Sequence, residues 1–178
     1  MNRRVGLMAG VALAAGAAGL GAAWWQRRSG AGSGSGSGSA VNDIRTASFP
    51  RPGGGALRLT EFDGQMLLLN FWATWCPPCV TELPLLESFH RDLAARGWRV
   101  VGLAVDQGPA VAQFLSRHPV SFPIGLAGLE GIGWSRRLGN TTGALPFTVV
   151  FDRKGLAVDR KLGAITPEDL AAWRVRAG

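Results

Sequence analysis

Cysteine is scarce in this chain of 178 residues: there are two, enough for one thiol pair. That excludes a disulfide-dense scaffold. Histidine is as scarce, also at two. A four-ligand zinc site of cysteine and histidine would have to use all of both. Acids are missing from the first forty residues, although the chain holds 12. No segment repeats itself. The length suits one ordinary domain with an appendage and is cramped for two large domains. The hydrophobic share, 47%, is too high for a disordered chain.

The formal charge is +7, and 17 of the 19 cationic residues are arginine. Such a balance points first to nucleic acid or an anionic membrane. Its distribution decides between them. Arg3, Arg4, Arg27 and Arg28 lie in the first forty residues, which leaves +3 on residues 41–178. That remainder has no basic stripe with interleaved aromatics, so nucleic acid is not an expected partner. Between the arginine pairs run residues 5–25, uncharged and closed by Trp24 and Trp25. As a helix the run spans about 31 Å, enough for a bilayer core, with tryptophans at the interface. Residues 1–28 therefore read as a signal anchor, or as a signal peptide cut after a small residue near 17–23. The anchor is favoured because the run is long and ends Trp-Trp-Gln-Arg-Arg. Residues 29–40 are a Ser-Gly run, read as a flexible tether with a reach of about 17–21 Å. An artificial linker is the competing reading of that repeat.

Residues 41–178 read as one domain. Residues 56–62 alternate as a strand, and Asp63-Gly64 before another apolar run signals a hairpin turn. Residues 66–71 are the continuous apolar run of a strand covered on both faces. Residues 77–96 have helical spacing through Leu83, Leu86, Phe89, His90 and Leu93, stopped by Gly97. Residues 98–105 form a strand. Residues 108–118 form a helix with Val111, Phe114 and Leu115 on one face, closed by Pro119. Residues 120–126 form a strand and 129–138 a short helix or loop. An apolar run at 145–151, a turn at 152–155 and a strand at 156–162 follow. Thr166 as N-cap and Pro167 at the first helical position open a last helix through Arg176. The order β-β-α-β-α-β-α-β-β-α implies an α/β fold with a mixed sheet.

Both cysteines fall in Cys76-Pro77-Pro78-Cys79, between a buried strand and a long helix. A helix N-terminus stabilises an anion, so a thiol there ionises more readily. Spacing i, i+3 puts both sulfurs on one helical face. Cys76 lies before the helix and is expected to be exposed; Cys79 lies in the first turn and is expected to be shielded. Cys76 is therefore read as the nucleophile and Cys79 as the resolving thiol. Neither proline has an N–H, so the Cys79 N–H is the nearest main-chain donor for the Cys76 sulfur. A moderately lowered thiol pKa is expected. His90 follows Cys79 by eleven residues, about 16 Å along a helix. That argues against zinc ligation and against a cysteine hydrolase using His90 as base. A purely structural disulfide would close a loop too short to constrain much chain entropy.

The run Phe71-Trp-Ala-Thr-Trp-Cys-Pro-Pro-Cys79 resembles the active-site signature of the thioredoxin superfamily. More narrowly, it resembles the membrane-linked TlpA/ResA-type thiol-disulfide oxidoreductases. The resemblance covers residues 41–178. It includes Asp63-Gly64, Cys79-Val-Thr-Glu-Leu-Pro84, Ser121-Phe-Pro-Ile124 and Gly143-Ala-Leu-Pro-Phe-Thr-Val-Val-Phe-Asp152. It implies a thioredoxin-like fold, a mixed central sheet flanked by helices, preceded by the transmembrane or signal helix. Pro146 matches the family's cis-proline, which binds the partner's extended chain, and Leu145 would shape that contact. An ordinary strand-start proline is the plainer reading. Glu82 matches an acid that the subfamily places near the cysteines, where it can help move the Cys79 proton; a dipole-favoured glutamate of a first turn weighs equally. Trp75 would cover the sulfurs, or simply pack in the core. Asn70 stands where cytoplasmic thioredoxins carry a buried aspartate, so that proton route is absent. Phe147 stands where some cytochrome c maturation members carry an acid, which weakens a haem-maturation role.

The resulting expectation is an exported, membrane-tethered disulfide reductase. Its domain faces the periplasm from a bacterial inner membrane, or is soluble there after signal cleavage. Its partners are substrate proteins with disulfides, a membrane thiol electron donor, and the membrane itself through residues 5–25. No cofactor is expected beyond the redox-active Cys76–Cys79 pair. An oxidant or isomerase would use the same two residues. A copper(I) chaperone is a further alternative, though the cysteine spacing and the missing downstream histidine speak against it. A peroxidase is disfavoured by Ala73, where a Thr or Ser is expected.

Overall fold

The computed structural model describes residues 35–176. The expected leader at 1–28 and the start of the tether lie outside the described residues. In chain order the elements are α1 (Ser35–Thr46), β1 (Ser48–Pro50), β2 (Ala56–Arg58), β3 (Met66–Trp72), α2 (Pro77–Leu93), β4 (Trp98–Ala104), α3 (Gly108–Arg117), β5 (Ile124–Leu126), α4 (Glu130–Arg137), β6 (Phe147–Phe151), β7 (Ala157–Leu162) and α5 (Pro167–Arg176). β3 is the pivot. All of its residues are buried, as its apolar run requires, and it pairs in parallel with β4 and antiparallel with β6. The sheet order is β5-β4-β3-β6-β7, the mixed sheet expected.

Two layers cover this sheet. α2 and α5 cover one face, through Leu83, Leu86, Phe89, Leu93, Leu170 and Trp173, with Val111 of α3. The other face is covered by Val41 and Ile44 of α1, Phe49 of β1, Leu57 of β2, and Leu138 after α4. Gly102 of β4 is a packing necessity: a Cβ there would come within 2.7 Å of Ile124 and 3.0 Å of the Trp72 indole nitrogen. Gly97 ends the helical segment in the left-handed region at φ 79°, where a side chain would be strained.

Several expectations are corrected. The Ser-Gly run read as a tether through residue 40 instead enters α1 at Ser35. Glycine and serine are poor helix formers, but Ala40, Val41 and Ile44 share one buried face, and tertiary packing decides. Asp63-Gly64 is not a hairpin turn. β2 pairs with β1, and residues 59–62 form a 3₁₀ turn that Asp63-Gly64 joins to β3. The strand expected over 120–126 shortens to Ile124–Leu126. Of the two readings of residues 129–138, short helix or loop, the helix holds: α4 spans Glu130–Arg137. At α5 the Thr166 hydroxyl accepts from the Asp169 N–H, and the Asp169 carboxylate accepts from the Thr166 N–H, a reciprocal cap.

Candidate active site

β3 ends at Trp72, whose carbonyl accepts from the Val105 N–H at 2.7 Å. The chain then turns through residues 73–76, with the Cys76 N–H donating to the Ala73 carbonyl at 3.3 Å. Cys76 is the N-cap of α2, its backbone extended, with Pro77 and Pro78 opening the helix. The Cys79 N–H donates to the Cys76 Sγ at 3.3 Å, the main-chain donor that the two prolines left available. The two cysteines are joined as a disulfide, their Cα atoms 5.3 Å apart.

Cys79 is fully buried, as expected. Cys76 is the more exposed of the two but only 4% exposed, which corrects the expectation of an open nucleophile. In the disulfide its sulfur is bonded to a buried neighbour, and it packs in the same cluster as Trp72, Ala73 and Leu83. Trp75, immediately before it, is 63% exposed, which excludes core packing for that ring.

Pro146 follows Leu145 through a cis peptide bond. Phe147 pairs with Phe71 across β3 and β6, so Pro146 lies at the same end of the sheet as the cysteine turn. Pro146 is buried, and its carbonyl accepts from the Gly163 N–H at 2.9 Å. Leu145 is half-buried and packs against both core clusters.

Glu82 faces inward from α2 and is 3% exposed. Its Oε1 accepts from the Asn70 amide at 2.7 Å and its Oε2 from the Ile165 N–H at 2.7 Å. Burial raises its pKa from 4.5 to about 7, and the donors Ile165 and Asn70 only partly offset that rise. The Asn70 amide also donates to the Thr148 hydroxyl at 3.1 Å. Among the described residues the Asn70 Oδ1 is buried without a hydrogen-bond partner. A carboxyl so placed changes protonation near neutral pH, on the same helix face as Cys79. The histidines are engaged elsewhere: His90 Nδ1 accepts from the Val100 N–H at 3.4 Å, and His118 stacks on Phe114.

Sequence reasoning missed Thr148, the Ile165 N–H, Thr74 and Asp106. Thr148 had a signal: like Asn70, it is a lone polar residue in an otherwise apolar strand. Ile165 acts through its backbone and had none.

The sheet order and the place of the cysteine pair define the class: a thiol-disulfide oxidoreductase of thioredoxin-like fold. The Redoxin family model matches residues 37–172, and the chain belongs to that family. Within it the protein is TlpA/ResA-like. It is 29% identical over 122 residues to a thiol-disulfide oxidoreductase ResA of Bacillus cereus, covering 67% of this chain and 68% of the relative. A thioredoxin-family thiol:disulfide interchange protein from Chlorobium tepidum TLS superposes with a TM-score of 0.67 at 26% identity, covering 75% of this chain and 94% of that one. StoA from Bacillus subtilis superposes at 0.58 with 25% identity, covering 74% and 98%.

Proposed function

We propose that this oxidoreductase works as a disulfide reductase of extracytoplasmic proteins, held at a membrane by residues 5–25. The Cys76 thiolate attacks a substrate disulfide. One S–S bond breaks, a mixed disulfide forms, and the leaving substrate sulfur takes a proton. Cys79 then gives up its proton and attacks the Cys76 sulfur. The second substrate thiol leaves, and the Cys76–Cys79 disulfide forms. Two electrons have passed to the substrate, and a membrane thiol donor restores the pair. The pair is the whole redox group. Glu82, a helix turn from Cys79 and poised near neutral pH, takes the Cys79 proton in the resolving step. Pro146 and Leu145 receive the substrate's extended chain, and the exposed Trp75 borders it.

One observation supports the direction. The Cys76 sulfur receives a hydrogen bond from Cys79, while Pro77 and Pro78 have no N–H to add. A thiolate stabilised by the helix terminus and this one donor favours the reduced form only moderately, which suits a reductant. Strong oxidants of this kind stabilise that thiolate far more. The location rests on the sequence of the leader. Among the described residues no helix is long and apolar enough to cross a membrane.

The test is the reduction potential of the Cys76–Cys79 pair in the full chain in detergent, by equilibration with glutathione. A value below about −200 mV supports the reductase; a value near −120 mV makes the protein an oxidant.

A further inference from the structure

The turn between β3 and Cys76 is fastened by a residue that follows another strand. Asp106 follows the end of β4 by two positions. Its Oδ2 accepts from the Thr74 N–H at 3.1 Å and also from the Thr74 hydroxyl. Its Oδ1 accepts from the Gln107 N–H at 2.7 Å. One carboxylate thus holds both the main chain and the side chain of the residue two before the nucleophile. Bonds to an ionised acceptor are about twice as strong as neutral ones.

The neighbours show what this clamp determines. Trp72 is tied to Val105, Ala73 is buried in the core, and Cys76 is held by its disulfide and by α2. Trp75 is the most exposed member of the turn. Its direction is set by the residues on either side, Thr74 and Cys76. An Asp–Gln107 contact alone would be an ordinary start to α3. The two bonds to Thr74 reach across to another loop and serve no helix.

We infer that Asp106 is a positioning residue for thiol exchange. Through Thr74 it holds the turn so that Trp75 stands beside the disulfide-bearing chain of an incoming protein. Asp106 acts on docking and not on sulfur chemistry. The inference rests on exchange at Cys76 and is independent of the direction in which electrons flow.

The experiment uses the full chain in detergent with two substrates, a disulfide-bonded peptide and a small aromatic disulfide that needs no docking surface. Asp106→Ala is expected to lower kcat/KM for the peptide about tenfold, chiefly through KM, less than the roughly hundredfold that misplacing a reacting group costs, because Asp106 acts on docking. Its rate with the small disulfide is expected to stay within about twofold. Thr74→Val, which loses the hydroxyl, is expected to lose peptide turnover in the same direction, and Thr74→Ser to recover it. In ¹⁹F NMR of fluorotryptophan-labelled protein, the Trp75 resonance is expected to move in Asp106→Ala. An unchanged peptide KM in Asp106→Ala overturns the inference, as does an equal loss for both substrates. If Asp106→Ala does not fold, the Thr74 pair decides: equal peptide KM in the Val and Ser variants overturns it. Failure of the wild-type chain to exchange either disulfide would instead overturn the activity at Cys76, a distinguishable result.

Discussion

The two faces of the central sheet come from the same strands and bury different chemistry. Toward α1 and α4 the strands present Leu67, Leu69, Phe71, Val101, Leu103, Phe147, Val149 and Phe151, all apolar. Toward α2 and α5 the same strands present Met66, Leu68, Trp72 and Val150, but also Asn70 and Thr148. Side chains alternate along a strand, so one polar residue marks one face and leaves the other untouched. A buried polar group costs free energy unless it is paired. Among the described strand residues, that cost falls on the face where Glu82 and Cys79 lie. One face supplies cohesion, and the other gives up some of it for a titratable group beside the disulfide.

The sharpest break in this contrast is chemical. Cys76→Ser is expected to abolish insulin-disulfide reduction, and Cys79→Ser to trap mixed disulfides with substrate, both read by turnover and mass spectrometry. Next comes the apolar face. Leu69→Ala is expected to cost about 2–5 kcal/mol in denaturant unfolding, as core truncations do. Its kcat per folded molecule should hold. If Leu69→Ala instead lost activity while remaining folded, the division of labour between the faces would be wrong.

The polar face responds to pH. Glu82 has a folded pKa of about 7 against 4.5 when unfolded. Between those values the folded state binds the extra proton, so stability declines as pH rises through the window. It is full below pH 4.5 and levels off above about 7. The total decline is about 3 kcal/mol, at about 1.36 kcal/mol for each pH unit that separates the two values. Glu82→Gln is expected to flatten that profile, measured by urea unfolding from pH 4 to 8. The same variant should slow resolution of the mixed disulfide by about tenfold or more.

How much of this was legible beforehand follows from which interactions are local. Cys76, its Cys79 donor, the α2 start and the long strands come from short-range patterns, and the structure has them where the patterns put them. The Asp63-Gly64 signal misled because turn chemistry does not say which strand pairs with which; β1, far too short to show a pattern, took the place of β3. α1 was missed because its helix rests on packing of Val41 and Ile44 in a cluster assembled from distant segments. The partners of Glu82 come from β3 and from the loop before α5, 12 and 83 residues away along the chain. Spacing cannot show such a meeting; only a lone polar residue in an apolar strand hinted at it.

Asn70→Leu is the gentlest way to test the contrast, since it makes β3 apolar on both faces. Glu82 would lose the donor on Oε1, and Thr148 the amide at 3.1 Å. Leucine fills the space but leaves the carboxylate with the Ile165 N–H as its remaining donor. Ionised Glu82 is then harder to bury, while neutral Glu82 is affected less. The penalty should therefore depend on pH: smaller below pH 4.5, where Glu82 is neutral, and larger by about 1–3 kcal/mol well above neutral, the cost of an unsatisfied buried group. The midpoint of the stability decline should move upward, because the hydrogen bond that partly offset burial is gone. A penalty equal at pH 4 and pH 8 would mean that Asn70 matters through its shape, and that the polar face differs from the apolar one in packing rather than in charge.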